Sequence, residues 1–237
     1  MLLAHRSGIG DYLDEAAHWD VNDHVLSVPV HTLADTQSFL PILDGFPQVF
    51  APGERFAYCN GGYIVLALLA LLAERAAGIP FHDLVNERVC RPARLGDTAF
   101  LRSDELPGRA ALGYLAAEGM RSNLLHMPVR GTGDGGIYST AADLSRLWSA
   151  LFAEHILDPQ TVALMTASRS DVTSEGYRHG LGLWLHATGP AVLLEGYDAG
   201  ISMRSTHDPS SGLTETVLAN TASGAEPLIE QLAPLFD

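Results

Sequence analysis

Gly200-Ile201-Ser202-Met203-Arg204-Ser205-Thr206, Asp208-Pro209-Ser210-Ser211-Gly212 and Leu213-Thr214-Glu215-Thr216-Val217-Leu218-Ala219 lie close together near the end of the chain. The first and last runs are rich in β-branched and apolar residues, whereas the middle one holds a proline, a glycine and small polar residues. This reads as two antiparallel strands closed by a hairpin turn. Just upstream, Gly180-Leu181-Gly182-Leu183-Trp184-Leu185 and residues 191–194 read as two further strands. Residues 226–235 read as a closing helix.

The preceding part is of another kind. Residues 61–77 are dominated by alanine and leucine and read as a helix stopped by Gly78. Pro80 precedes a second helix over 81–89, with Phe81, Leu84 and Val85 on one face. Thr140 to Asp143 resembles a capping box ahead of Leu144, Leu147, Trp148 and Leu151 at helical spacing. Pro159 opens a short helix to about residue 167. Residues 1–57 are broken by prolines 29, 41, 47 and 52 and by glycines 8, 10, 45 and 53, so only a short helix near 36–40 is expected there. Together these make an α+β fold. The expected organisation is one domain over 1–237, with a helical and loop lobe to about 170, then strands and a C-terminal helix over about 171–237.

Composition narrows the function. In 237 residues, 47% are apolar and 18% charged, which excludes an intrinsically disordered chain. Acids number 28 against 14 bases, giving a net charge of −14. Such a chain repels phosphate backbones and anionic bilayers, so no nucleic acid is expected as partner. Every base is arginine; lysine is absent. Schiff-base, P-loop-lysine and lysine-base chemistry therefore cannot come from these residues. The two cysteines, Cys59 and Cys90, form no zinc-like spacing and read as free thiols, and the ten histidines include no HExxH pair. No metal and no cofactor is expected. The apolar run 63–73 is about half a membrane span, so no membrane segment is expected. With no secretory pattern at Met1 and unpaired thiols, the expected compartment is the cytoplasm.

Two local motifs carry little alone. Gly131-Thr132-Gly133-Asp134-Gly135-Gly136 fits G-x-G-x-x-G, but no strand precedes it and no βαβ unit surrounds it, so a loop is expected rather than a dinucleotide site. Tyr58-Cys59-Asn60, before the 61–77 helix, reads locally as a packing tyrosine and an N-cap asparagine. No G-x-S-x-G elbow is present.

Taken in order, several stretches resemble one family. Leu2-Leu3-Ala4-His5-Arg6-Ser7-Gly8-Ile9 resembles an "LLxHxSGL" segment. Pro52-Gly53 with Phe56-Ala57-Tyr58-Cys59-Asn60 and Gly62-Tyr63 resembles "PGxxFxYSNxGY". Gly135-Gly136-Ile137-Tyr138-Ser139-Thr140-Ala141-Ala142-Asp143-Leu144, Gly180-Leu181-Gly182-Leu183-Trp184 and Gly200-Ile201-Ser202 continue in the same order. The chain thus resembles the serine β-lactamase, penicillin-binding protein and class C-like esterase superfamily. That resemblance implies a β-lactamase/transpeptidase-like fold and acyl transfer through a serine ester. It implies Tyr58 as the tyrosine sharing the nucleophile's proton and Asn60 as the orienter of the substrate carbonyl or the lysine. Substrates would be small-molecule esters, amides or lactams.

Two departures shape the expectation. The family's Ser-x-x-Lys element is absent, since there is no lysine. It lies upstream of "LLxHxSG" in relatives, so this chain is expected to be an N-terminally incomplete domain, inactive alone, whose uncovered sheet edge favours homo-oligomers. The alternative is a degenerate, non-catalytic binding module that keeps the cleft. Counting back from Gly200 places the third motif at Leu194-Glu195-Gly196, where the usual Lys or His is Leu194 and Tyr197 would offer the oxyanion N–H. These four residues are the expected substrate-binding set. Leu194 and Glu195 point to neutral esters or amides rather than carboxylate-bearing substrates, unless Arg204 supplies the missing charge.

Overall fold

The strand-forming residues at the end of the chain build an antiparallel sheet of six strands in sequence order: β1 Ser170–Val172, β2 Tyr177–His179, β3 Trp184–His186, β4 Val192–Asp198, β5 Ile201–His207 and β6 Thr214–Ala219. This is a computed structural model, and it describes residues 1–13, 20–74, 78–116 and 119–237. The expected β5–β6 hairpin forms, closing on His207 opposite Thr214. Asp208 holds its turn by accepting from Ser210 N–H and from the Ser210 and Ser211 hydroxyls. The strand expected over 180–185 is shorter, because Gly182 takes φ 77° and the segment before Trp184 becomes the β2–β3 turn. The one expected over 191–194 is longer and runs to Asp198. No sequence signal marks strands β1 and β2. At three residues each they show too little alternation to read.

The helices follow composition and caps. They are α1 Leu40–Leu43, α2 Asn60–Glu74, α3 Phe81–Val85, α4 Ala141–Phe152, α5 Pro159–Thr166 and α6 Glu226–Leu232. The end expected for α2 at residue 77 lies outside the described residues. After Val85 the chain widens into a π-helical turn, Asn86–Cys90, so the helix expected to Val89 is not wholly α. At α4, Thr140 accepts the Asp143 N–H. Asp143 does not return the bond as a capping box would; fully buried, it accepts from Asp97 N–H and Thr98 Oγ1 instead. Pro234 has no donor, and beyond Leu232 the last helix tightens into a 3-10 turn, Ala233–Phe236. The first 57 residues hold 3-10 turns and α1, as their prolines and glycines require.

The two faces of the sheet are covered by different helices. On one, Leu183, Leu185 and Val192 meet Trp148 and Leu151 of α4 and Val162 of α5. On the other, Val217 meets Ala225 and Ile229. Ser205 and Arg204 are adjacent on β5 and so point to opposite faces, and Ser205 receives the Trp148 indole N–H at 2.8 Å. A separate cluster of Leu33, Phe39, Ile42 and Ile64 packs the irregular N-terminal stretch against α2. Among the described residues, no helix is long and apolar enough to cross a membrane.

Candidate active site

The second-motif residues sit where an extended segment enters α2. The first backbone N–H groups of a helix have no intrahelical partner. Here Asp11, from the irregular N-terminal stretch, accepts from Asn60 N–H at 2.5 Å and from Gly61 N–H at 2.8 Å. The Cys59 thiol accepts from Gly62 N–H at 3.3 Å. Asn60 is thus the first helical residue and not the N-cap its local sequence suggests; Asp11 and Cys59 do the capping. Burial pushes the Cys59 thiol up to about 12, with the Asp11 charge acting in the same direction. A thiol so placed is a poor nucleophile.

Tyr58 precedes this cap. Its ring lies parallel to the Trp184 indole, at 3° with centroids 6.3 Å apart, and stacks on His5 at 4.2 Å. Trp184 pairs with Leu193, so Tyr58 stands one strand away from the third motif.

Within that motif each side chain goes its own way. Leu194 packs against the α4-facing core that includes Trp148. Glu195 pairs with Arg204 directly across the ladder, at 2.8 Å. Arg204 also lies over the Tyr177 ring, its guanidinium carbon 5.5 Å from the centroid. The side chain considered as a substitute cation is therefore already engaged. Tyr197 is 62% exposed. The β3–β4 ladder consists of Trp184–Leu193 and Leu185–Val192, so residues 194–198 pair with β5 on one side, and among the described residues no strand pairs with them on the other.

A half-buried group of acids and a tyrosine lies near both motifs. Tyr12 donates to Asp134 Oδ2 at 2.5 Å, and Asp11 and Asp198 both act on that pair electrostatically. Asp11 holds the start of α2, and Asp198 directly follows Tyr197. Burial pushes the Asp134 carboxyl up to about 6 despite the Tyr12 bond, and it raises Asp11 and Asp198 as well. Sequence reasoning assigned no role to Asp11, Tyr12 or Asp134. Asp11-Tyr12 lies in a region without periodicity, and Asp134 lies inside the glycine pattern.

The glycine pattern has a packing cause. A Cβ on Gly133 would fall 2.3 Å from Tyr63 O and 2.7 Å from Ala67 Cβ, and one on Gly131 would fall 2.2 Å from Gly135 O. Glycine lets this loop fold on itself and lie against α2, which brings Asp134 to Tyr12. Among the described residues, no group of three or more His, Cys, Asp or Glu side chains could hold a metal ion.

The family model described as Beta-lactamase matches residues 1–233. Penicillin-binding protein 4* of Bacillus subtilis is 28% identical over 172 residues, 66% of this chain and 36% of that protein. The crystal structure of a penicillin binding protein from Bacillus halodurans has a TM-score of 0.89 at 33% identity, covering 99% of this chain and 72% of that one. A D-stereospecific amidohydrolase from Streptomyces shares the fold at TM-score 0.76 and 20% identity, covering 98% of this chain and 70% of that one. The chain spans just over a third of the length of the first curated relatives it matches. A match running through both motifs and the whole sheet, with the same fold in a solved relative, makes this chain a member of the β-lactamase family.

Proposed function

We propose that this chain provides the tyrosine wall and the strand wall of a serine acyl-transfer site for neutral esters or amides, with the hydroxyl nucleophile and its lysine coming from residues outside these 237. What supports the reading is the Tyr58 ring lying parallel to the Trp184 indole, whose partner across the ladder, Leu193, directly precedes segment 194–198. Tyr58 would take and return the nucleophile's proton. Asn60 would orient the substrate carbonyl. A free phenol loses its proton near pH 10, so Tyr58 needs a neighbouring cation to act near neutrality. The absent lysine is the group for that role, and without it these residues do not complete a covalent cycle.

The strand supplies the electrostatic part. N–H groups along an antiparallel strand alternate between its two sides. Counting from the closing Asp198–Ile201 pair puts the Tyr197 N–H on the side of the strand away from β5, where this reading needs an oxyanion donor. Leu194 brings no positive charge, and Arg204 is spent on Glu195. A substrate carboxylate would find no unshared cation on this strand, whereas a neutral ester or amide needs none. The name of the Streptomyces relative, an amidohydrolase, agrees with that class.

The test uses p-nitrophenyl esters and a fluorescent penicillin. This chain alone should show no acylation burst with either. A polypeptide extended by its own upstream codons, if these encode Ser-x-x-Lys, should turn over the ester and react weakly with the penicillin. A covalent adduct on any serine of the 237-residue chain would overturn the proposal.

A further inference from the structure

His5 lies outside the three catalytic motifs, yet it meets Tyr58 from three directions. It ends the 3-10 turn Leu2–Ala4 with a left-handed backbone, φ 50° and ψ 41°, a conformation uncommon for a residue other than glycine. Its carbonyl accepts the Ala57 N–H at 2.9 Å. Its Nδ1 accepts the Cys59 N–H at 3.0 Å. The two amides it holds are thus those on either side of Tyr58. Its ring stacks on the Tyr58 ring with centroids 4.2 Å apart and planes 25° apart, and on Tyr63 from α2 at 4.9 Å and 26°. Only 3% of the residue is exposed.

We propose that His5 is the positioning residue for Tyr58: a neutral imidazole, protonated at Nε2, that clamps the backbone on both sides of the tyrosine and covers one face of its phenol. The proposal rests on Tyr58 being the proton-carrying tyrosine of the site. The left-handed backbone at His5 lets carbonyl and ring reach the same strip of chain. Among side chains, imidazole is suited to the task because it has both a flat face to stack and an in-plane acceptor. The acceptor settles the protonation state, since a nitrogen that receives an N–H bond carries no proton of its own. The titratable groups packed on the ring are Tyr58, Tyr63 and His179, the last edge-on at 5.0 Å from β2. Burial and His179 push His5 down to about 3, so the neutral clamp persists at every pH where such a hydrolase would work. Preorganisation of this kind matters because small displacements of a proton-transfer group slow a reaction steeply.

The test needs no catalysis and so separates from the acylation test above: failure here leaves the role of Tyr58 open, and failure there leaves the clamp standing. In the 237-residue chain, long-range proton–nitrogen NMR should find His5 Nδ1 unprotonated and Nε2 protonated from pH 8 down to pH 5. A His5 protonated at Nδ1, or titrating near the ordinary imidazole value of about 6.5, would overturn the proposal. Two variants then divide the clamp. His5→Phe keeps the stack and loses the acceptor: the ring shifts of Tyr58, identified by their loss in Tyr58→Phe, should stay, while Cys59 amide exchange speeds at least roughly tenfold. His5→Asn tolerates the left-handed backbone and keeps an acceptor: it should restore Cys59 protection and lose the ring shifts. General loosening of the core would change both signals together in both variants, and that result, or no change in either, would also overturn it. If neither variant folds, the wild-type proton assignment alone decides.

Discussion

Glu195 and Arg204 stand opposite each other on β4 and β5 and close an ion pair at 2.8 Å, inside the segment proposed above as the strand wall of the site. The pair explains how a carboxylate can occupy this strand. Arg204 neutralises it, and also faces Glu215, whose carboxyl burial raises and Arg204 lowers. We expect Arg204→Met to leave two carboxylates without their cation and to cost about 1–3 kcal/mol, less than a fully buried pair because both partners are partly exposed. Urea denaturation measures this. Adding Glu195→Gln should recover part of the loss, and a double-mutant cycle with no coupling would remove the pair from the account.

The Trp148 indole N–H reaches Ser205 Oγ at 2.8 Å, with Ser205 fully buried and also bonded to Thr216 Oγ1. Removing the hydroxyl strands a buried donor, which costs more than the bond was worth. Ser205→Ala should lose about 1–3 kcal/mol in urea denaturation. Trp148→Phe, which deletes the donor as well, should be damaging mainly through lost volume.

Much of this fold is legible wherever periodicity and punctuation agree. The α4 and α5 segments, the β5–β6 hairpin and the C-terminal helix each combine an apolar pattern with a cap, a proline or a turn. The site is less legible. Tyr58, Asn60 and the 194–197 segment emerge only from motif order, because an isolated Tyr-x-Asn has no distinguishing physics. Asp11 escapes because its task, capping a helix some fifty positions later, leaves no local trace. His5 stands inside a quoted motif, but its two bonds to the neighbours of Tyr58 depend on a left-handed backbone that no sequence pattern announces. The widening of α3 into a π-helical turn is hidden as well, since Asn86-Glu87-Arg88-Val89-Cys90 reads as ordinary helix.

Acid and base dependence should separate buried His179 from partly buried Asp134. His179 is pushed down to about 4 by burial. Its contribution to stability is complete above the unfolded value near 6.5 and is lost as pH falls toward 4. Asp134, pushed up to about 6, has the opposite sign: its contribution is complete below the unfolded value near 3.9 and is lost as pH rises through 6. Asp134→Asn can still accept from Tyr12 and does not ionise. Its stability relative to wild type should therefore grow from pH 4 to pH 7.5, by about 1–3 kcal/mol. For His179→Phe the same difference should grow in the other direction, from pH 7.5 to pH 4. Thermal melts across this range decide; a pH-independent difference for Asp134→Asn would mean that its carboxyl is not buried as a proton carrier.

The glycine loop allows a test that separates packing from ligand binding. Gly133 lies against Tyr63 O and Ala67 Cβ, so Gly133→Ala forces the loop away from α2 and pulls Asp134 from Tyr12. Overpacking of this kind costs about 1–3 kcal/mol, and a clash with backbone belongs at the upper end. Gly135 has open space where its Cβ would go and no left-handed φ, so Gly135→Ala should stay within about 0.5 kcal/mol of wild type. Urea midpoints give both values. A phosphate-cradling loop would need close backbone approach at several of its glycines. Equal tolerance at 133 and 135 would contradict the packing account, whereas a loss confined to 133 follows from the contact with α2.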